Sequence, residues 1–227
     1  KLYAANAVKL KEKLESGGFA ETGDGRLQIL AELMRLRQLC CDPRLCYENY
    51  KSESAKLETC MDLVRRGISG EHKILLFSQF TSMLELIEKR LIKEGVASHK
   101  LTGATSKEER IRMVGEFQRD DVPVFLISLK AGGTGLNLTA ADIVIHYDPW
   151  WNVAAQNQAT DRTHRIGQEK QVTVYKLITR NTIEENILKL QESKQYLADQ
   201  IVTEGTVSFG SLTKEDILNI VTQEVEE

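Results

Sequence analysis

Lys73-Ile74-Leu75-Leu76-Phe77 is a short apolar run with polar residues on either side, and it indicates the fold of this 227-residue chain. An unbroken apolar run of this length is typical of a strand that is buried on both faces of a parallel sheet. Helical periodicity alternates with four more short segments, which predicts βαβ units and an open α/β sheet with helices on both faces. The predicted strands are 73–77, 98–101, 122–127, 142–146 and 172–177. The predicted helices between them are 83–93 and 106–117, and the second opens with a capping box of Ser106 and Glu109.

Helical sequence flanks this alternation on both sides. An amphipathic stripe from Leu27 onward ends before Pro43, which stops the helix, and a further helix is predicted at 54–66. The tail resumes as helix at 182–202 and again after 211. These changes of pattern predict three segments, which are a helical linker at 1–68, a sheet domain at 69–180 and a C-terminal helical brace at 181–227.

The composition is that of a globular protein. Hydrophobic residues make up 41% and charged residues 28%, the usual proportions for a soluble chain, and no apolar run approaches the ~20 residues that span a bilayer. The net charge of -3 argues against a generally basic nucleic-acid coat but allows a local basic groove. The four cysteines form no Cys-x-x-Cys pair, which favours reduced thiols over zinc ligands, so no metal site is expected in this chain. Because the chain starts at Lys1 without a methionine or a signal peptide, we expect a piece of a longer protein.

Polar residues follow four of the predicted strands at the point where each ends, and they are Ser78, Thr102, Ser128 and Asp148. Open parallel sheets bind their ligands at the carboxyl ends of the strands, so we expect these residues at a functional edge. The glycine-rich stretch 131–137 offers backbone amides that could approach a phosphate. It matches neither a dinucleotide fingerprint nor a Walker loop, and a simple tight turn remains the alternative.

Two further segments suggest ligand contacts. Trp150 and Trp151 are adjacent and cannot both be buried on one face, so one is available for stacking on a base or a partner, with pure packing as an equal alternative. The stretch 158–168, QATDRTHRIGQ, carries a glutamine and two arginines at offsets that share one helix face. Two guanidinium groups side by side suit a polyphosphate, and an arginine directed at a transferring phosphoryl group accelerates hydrolysis by about 10³–10⁵. These arginines point toward nucleotide hydrolysis, and His164 between them is assigned no catalytic role.

In this order, the segments resemble the second RecA-like lobe of superfamily-two helicases, and specifically the Swi/Snf family of ATP-dependent DNA translocases. Residues 74–81 resemble the family's motif IV, residues 101–105 its Leu-x-Gly-x-Thr segment, and residues 128–142 its motif V. Residues 148–152 resemble its Asp-x-x-Trp-Asn element, residues 158–168 are similar to its motif VI, and the flanks more weakly resemble its linker and brace helices. The resemblance implies a RecA-like, P-loop NTPase-type parallel sheet with helical N- and C-terminal extensions.

The resemblance also implies roles for individual residues. Arg162 and Arg165 would reach the phosphates of ATP, with Gln158 as a polar orienter on the same helix face. Gly135 and Asn137 would line the nucleotide, and Asp161 would either orient one arginine or form a surface ion pair. Contacts to DNA are expected from Ser78, Gln79, Thr102, Thr105, Ser128, Lys130 and Trp151.

ATP with Mg²⁺ is the implied cofactor. The implied partners are double-stranded DNA, the first RecA-like lobe of the same protein and DNA-bound protein complexes, but no membrane. The family's phosphate-binding lysine loop and its Mg²⁺-binding acidic box belong to the first lobe and do not occur in this sequence, so the chain alone is not expected to hydrolyse ATP. The implied activity is translocation along duplex DNA without strand separation. The implied location is the prokaryotic cytoplasm and nucleoid, or the nucleus of a eukaryote.

Two alternatives remain open. A related superfamily-two motor could act on RNA or unwind DNA. The Asp-x-x-Trp-Asn element argues against this motor, and comparing the stimulation of ATP hydrolysis by double-stranded DNA, single-stranded DNA and RNA would decide. A non-catalytic scaffold could keep the fold for binding, but such a scaffold has no need for both Arg162 and Arg165.

Overall fold

A computed structural model describes residues 1–16, 24–132, 138–150, 171–200 and 214–222. These residues divide into two compact units. The helical unit comprises the described residues up to 54, residues 149–150 and the described residues from 178 onward. The sheet unit comprises the described residues of 55–148 and residues 171–177. The division into linker, sheet domain and brace stays a prediction.

The sheet unit confirms the predicted α/β fold. Its described strands are β1 (Ile74–Ser78), β2 (Ser98–Leu101), β3 (Val124–Ser128), β4 (Ile143–His146) and β5 (Thr173–Lys176). All neighbouring pairs are parallel, and the order across the sheet is β2-β3-β1-β4-β5. Every residue of β1, β3 and β4 is buried. Because successive side chains of a strand point to opposite faces, both faces of these central strands are covered.

The sequence predicts a sheet that is covered on both faces, but the edge strand β5 is not covered. All four of its residues are exposed, although the sequence predicts a strand there as it does for β1. β5 pairs only with β4, so one of its sides has no neighbouring strand among the described residues. Its polar ends, Thr173 and Lys176, suit this position, since charged and polar residues are common on edge strands.

Four described helices accompany the strands, and they are α3 (Ala55–Ser69), α4 (Thr81–Lys93), α5 (Lys107–Phe117) and the short α6 (Leu129–Gly132). The first three confirm the sequence prediction, and α6 is an addition to it. Ser106 accepts a hydrogen bond from the backbone N–H of Glu109 at 3.2 Å, as the capping box predicts. α4 ends in a Schellman motif, in which Gly95 has φ +73° and Val96 donates to the Leu91 carbonyl at 2.9 Å.

The helical unit is built from α1 (Leu2–Glu15), α2 (Asp24–Cys41), a 3₁₀ turn (Pro43–Leu45), α7 (Ile183–Gln200) and α8 (Lys214–Thr222). The buried face of each helix contributes to one apolar core, whose members include Leu14, Leu33, Leu36, Ile187 and Ile217. Pro43 ends α2 as predicted, and Asp42 accepts a hydrogen bond from the Arg44 N–H at 2.9 Å in the turn that follows. Within the described ranges, no helix is long and apolar enough to cross a membrane.

Candidate nucleic-acid and nucleotide edge of the sheet

The strand register places four polar strand-end residues at one edge of the sheet. Ser78 and Ser128 are direct partners at the ends of β1 and β3. Thr102 follows β2, whose last residue is paired with the residue before Ser128. Asp148 follows β4, whose last residue is paired with the residue before Ser78. The sequence prediction that Ser78, Thr102, Ser128 and Asp148 share an edge is therefore confirmed for their positions in the fold.

Asp148 holds the turn between β1 and α4. Its carboxylate accepts the Ser78 hydroxyl hydrogen bond at 2.5 Å and the Gln79 N–H at 3.3 Å and 3.4 Å to its two oxygens. The Ser78 hydroxyl oxygen in turn accepts from the N–H of Phe80 at 3.1 Å. Asp148 is 1% exposed and Ser78 is fully buried. A buried carboxylate needs such donors to replace water, and a negative charge beside the start of a helix is favourable.

The turn after β2 is closed by two threonines. Thr105 Oγ1 accepts from the N–H of Thr102 at 3.1 Å, and Thr102 Oγ1 accepts from the N–H of Ala104 at 3.3 Å. A hydroxyl has one proton to donate besides its acceptor lone pairs, so each threonine retains a donor for a further acceptor. Gly103 and Ala104 between them are exposed. This turn therefore presents hydroxyl donors close to the surface.

The remaining predicted DNA contacts occupy different situations. Ser128 is 2% exposed, and its hydroxyl oxygen accepts from the N–H of Ala131 at 3.4 Å at the start of α6. The hydroxyls of Ser78 and Ser128 thus serve the protein's own turns in this arrangement. Gln79 is half-buried and donates its N–H to Asp148. Lys130 belongs to α6, but its side chain is outside what the structure describes.

The predicted nucleotide contacts lie outside the described residues. These are Gly135, Asn137, Gln158, Asp161, Arg162 and Arg165, and Trp151 among the DNA contacts lies outside them as well. Their roles stay predictions. Within the described part of the chain, no group of three His, Cys, Asp or Glu side chains could hold a metal ion.

One buried histidine lies beside this edge. His146, the last residue of β4, stacks on Phe77 with ring centroids 5.4 Å apart. Burial, together with the positive charge of Lys176, lowers the pKa of His146 to about 4. His146 is therefore neutral at physiological pH and acts as an aromatic packing residue.

The sequence places Asp148 at a strand end but does not indicate its role. A signal for its proximity to Ser78 is present, because Asp148 and Ser78 end strands that the alternation pattern places in one parallel sheet. The sequence does not show which of the polar strand-end residues turn inward. In the structure, Asp148 and Ser78 bond to each other, whereas Thr102 and Thr105 close an exposed turn.

Comparison with known proteins identifies the family. The family described as "Helicase conserved C-terminal domain" matches residues 55–167. The putative ATP-dependent helicase/translocase YwqA of Bacillus subtilis is 44% identical over 205 residues, which are 88% of this chain and 21% of that protein. The chain spans about a fifth of the length of the curated bacterial relatives that it matches.

Two solved structures from Sulfolobus solfataricus have the same fold. The C-terminal domain of its SWI2/SNF2 ATPase is 30% identical with a TM-score of 0.77, over 99% of this chain and 92% of that chain. The SWI2/SNF2 ATPase core in complex with double-stranded DNA is 32% identical with a TM-score of 0.77, over 99% of this chain and 47% of that chain. The chain therefore belongs to the SWI2/SNF2 family of helicase-type ATPases, in which it corresponds to the RecA-like C-terminal lobe.

Proposed function

We propose that the chain is the C-terminal motor lobe of an ATP-dependent translocase on double-stranded DNA, and that it is inactive without a first RecA-like lobe. The observation that carries the proposal is the shared carboxyl edge of Ser78, Thr102, Ser128 and Asp148 in a lobe of the SWI2/SNF2 family. Ligands of open parallel sheets bind at this edge. A relative with the same fold has been solved with double-stranded DNA, which supports duplex DNA as the partner.

The nucleotide site is proposed to be shared between two lobes. The first lobe would hold most of the ATP and its Mg²⁺, since this sequence contains no Gly-Lys-Ser/Thr phosphate loop. Arg162 and Arg165 would stabilise the negative charge that develops on the γ-phosphoryl oxygens, with Gln158 as their polar neighbour. Gly135 and Asn137 would line the nucleotide, and Asp161 would orient an arginine. Gly135 and Asn137 follow α6 in the sequence, and α6 directly follows β3 at the carboxyl edge. This order supports a nucleotide at that edge.

The DNA would lie along the same edge, with its phosphates bound by groups close to the surface. Thr102 and Thr105 offer hydroxyl donors, and Gln79, Lys130 and Trp151 are proposed to add polar, charged and stacking contacts. Ser78 and Ser128 would contribute by holding the backbone of their turns, because their own hydroxyls are buried. Contacts to phosphates carry no sequence information, so binding would be independent of sequence and sensitive to salt. Opening and closing of two lobes would move the motor along the duplex and displace DNA-bound protein complexes without separating the strands.

The test is substitution of the two arginines in the full-length protein. Arg162→Ala and Arg165→Ala are each expected to lower DNA-stimulated ATP turnover by about 10³-fold or more, because an arginine on a transferring phosphoryl group contributes that much. ATP binding, measured by titration with a fluorescent analogue, should change little, since the first lobe holds most of the nucleotide.

Arg119→Ala is the matched control. Arg119 is exposed and precedes β3, so it lies toward the opposite edge of the sheet and should leave turnover unchanged. Full turnover in both Arg162→Ala and Arg165→Ala would contradict the mechanism. Equal losses of turnover and of ATP affinity would contradict the assignment of these arginines to the transition state.

A further inference from the structure

Two side chains of the helical unit bind the same short stretch of backbone. Arg37 on α2 donates from Nη2 to the carbonyl oxygen of Pro149. Gln191 on α7 donates from Nε2 to the carbonyl oxygen of Trp150. The two acceptors belong to consecutive residues, whereas the two donor residues lie on different helices and are 154 positions apart in the sequence.

Arg37 occupies a position where an apolar residue would be expected. It is 1% exposed and lies on the face of α2 that also carries Leu33, Leu36 and Cys40, all buried in the core of the helical unit. A guanidinium stays charged at any working pH, and burying it is unfavourable unless its donors are bound. The Pro149 carbonyl binds one of these donors, and an apolar residue of similar size would not supply this contact.

The stretch bound by these donors is also fixed by packing. The Trp150 side chain packs against the same core as α2 and α7. Gln191 is itself only 8% exposed. Because each peptide group is planar, binding two consecutive carbonyl oxygens holds the backbone of Pro149 and Trp150. The residues that follow are Trp151 and then the stretch that contains Arg162 and Arg165.

We propose that Arg37 and Gln191 are positioning residues for ATP hydrolysis, which set the path of the chain into the arginine-bearing stretch by holding Pro149 and Trp150. This inference rests on the proposed function of Arg162 and Arg165. Arg37 is 1% exposed and Gln191 is 8% exposed, so neither is proposed to touch the nucleotide. A displacement of about 1 Å at a reacting centre lowers turnover by about 10²-fold, so an effect of this order is expected when the carbonyls are released.

The experiment replaces each donor by methionine in the full-length protein. Methionine is similar in length, fills the apolar surroundings and donates no hydrogen bond. Arg37→Met and Gln191→Met are each expected to lower the DNA-stimulated kcat by about 10- to 10²-fold, with the KM for ATP and the Kd for duplex DNA within about twofold of the parent values. The double variant should lose no more than the stronger single variant, because both donors act on one stretch of backbone. Arg37→Lys should recover part of kcat, since an ammonium group still donates.

Arg35→Met and Gln28→Met are the matched controls. Both residues are exposed on α2, where the Arg35 guanidinium lies 5.3 Å from the centre of the Tyr47 ring and Gln28 accepts from Lys13 at 2.9 Å. These variants should keep the parent kcat, and the thermal midpoint is measured for every variant. An unchanged kcat in both Arg37→Met and Gln191→Met would overturn the inference. So would a loss of kcat that is matched by equal losses of ATP and DNA binding or by unfolding at the assay temperature, because that is the result of a structural role alone.

The same assay separates this inference from the proposed function. If Arg162→Ala and Arg165→Ala keep full turnover, the proposed function is wrong and the positioning role falls with it. If those variants lose turnover while Arg37→Met and Gln191→Met keep it, only the positioning role is wrong.

Discussion

Asp148 and the two threonines after β2 show that polar residues at strand ends perform two different tasks. Asp148 is buried and accepts hydrogen bonds from Ser78 and Gln79, so its contribution is to fix the start of α4. Thr102 and Thr105 close an exposed turn and retain hydroxyl protons. A buried acceptor that loses its donors costs about 1–3 kcal/mol, which makes the inward group a structural element. Binding of a ligand is proposed only for the outward group.

His146 predicts a pH dependence of stability. Its pKa in the folded chain is lowered from 6.5 to about 4 by burial and by the charge of Lys176, so between these values the unfolded chain binds the additional proton. The stabilising contribution is therefore complete above pH 6.5 and is lost as the pH falls toward 4. A difference of this size corresponds to about 3 kcal/mol at most. Urea unfolding at pH values from 7.5 to 4, in steps of about half a pH unit, measures how the free energy of unfolding changes with pH.

His146→Phe is the matching variant for this slope. Phenylalanine keeps an aromatic ring on Phe77 and does not titrate. The free energy of unfolding of this variant should therefore change less between pH 6.5 and 4 than that of the parent chain. No direction is predicted for its free energy of unfolding at neutral pH. Identical slopes for the parent chain and His146→Phe would show that other groups cause the acid sensitivity.

At the scale of secondary structure, the central strands were predictable because burial on both faces produces an unbroken apolar run. The runs beginning at Lys73 and Val122 became β1 and β3 with small shifts of their ends. The exposure of β5 was not predictable, since the apolar content of Val172, Val174 and Tyr175 is compatible with a buried strand. Local periodicity reports which face of a strand is apolar, but it does not report whether another element covers that face.

The candidate site was predictable to the same extent. The rule for strand ends brings Ser78, Thr102, Ser128 and Asp148 to one edge, and the register agrees. The contact between Arg37 and Pro149 spans 112 positions, and no local pattern contains it. A signal for Arg37 existed nevertheless, because Arg37 stands four residues after Leu33 and three before Cys40, on the buried face of α2.

Helix packing on the sheet predicts opposite effects for two glycine substitutions. A Cβ on Gly67 in α3 would lie 2.8 Å from Ile74 Cδ1 and 3.1 Å from Ile143 Cδ1, whereas a Cβ on Gly115 in α5 would meet nothing within 4 Å. Gly67→Ala is therefore expected to destabilise the sheet unit by about 1–3 kcal/mol through overpacking. Gly115→Ala should stabilise it by about 1 kcal/mol, because alanine is the better helix former.

Both glycine variants are measured by urea unfolding, and each serves as the control for the other. The chemical change is the same, a hydrogen replaced by a methyl group inside a helix, so only the surroundings differ. Stabilisation by Gly67→Ala would show that Ile74 and Ile143 move aside easily and that the close approach of α3 to the sheet has no energetic importance.

For the whole molecule, net charge does not favour DNA binding. The chain has 30 basic and 33 acidic residues, so any attraction to phosphates must come from local groups. Several cations of the sheet unit are already paired within the chain, as Arg65 is with Glu94 and Asp62, Arg90 with Glu58, and Lys100 with Glu88. A cation held by a carboxylate of its own chain contributes less to a phosphate. In the part of the proposed DNA edge that the structure describes, Thr102 and Thr105 offer neutral hydroxyl donors.

The proposed contacts of Lys130 and Thr105 predict two different salt responses in the full-length protein. Each phosphate neutralised by a lysine or arginine contributes about -1 to the slope of log K against log salt concentration, while a neutral hydroxyl contributes affinity but no slope. Lys130→Ala is expected to weaken duplex binding and to reduce the slope by about 1.

Thr105→Val should weaken binding about fivefold, the equivalent of one net hydrogen bond, at every salt concentration. Thr105→Ser keeps the hydroxyl and should bind as the parent does. Anisotropy titrations of a labelled duplex between about 50 and 200 mM salt measure both quantities. An unchanged slope in Lys130→Ala would remove Lys130 from the phosphate contacts, and parent affinity in Thr105→Val would place the DNA away from the turn after β2.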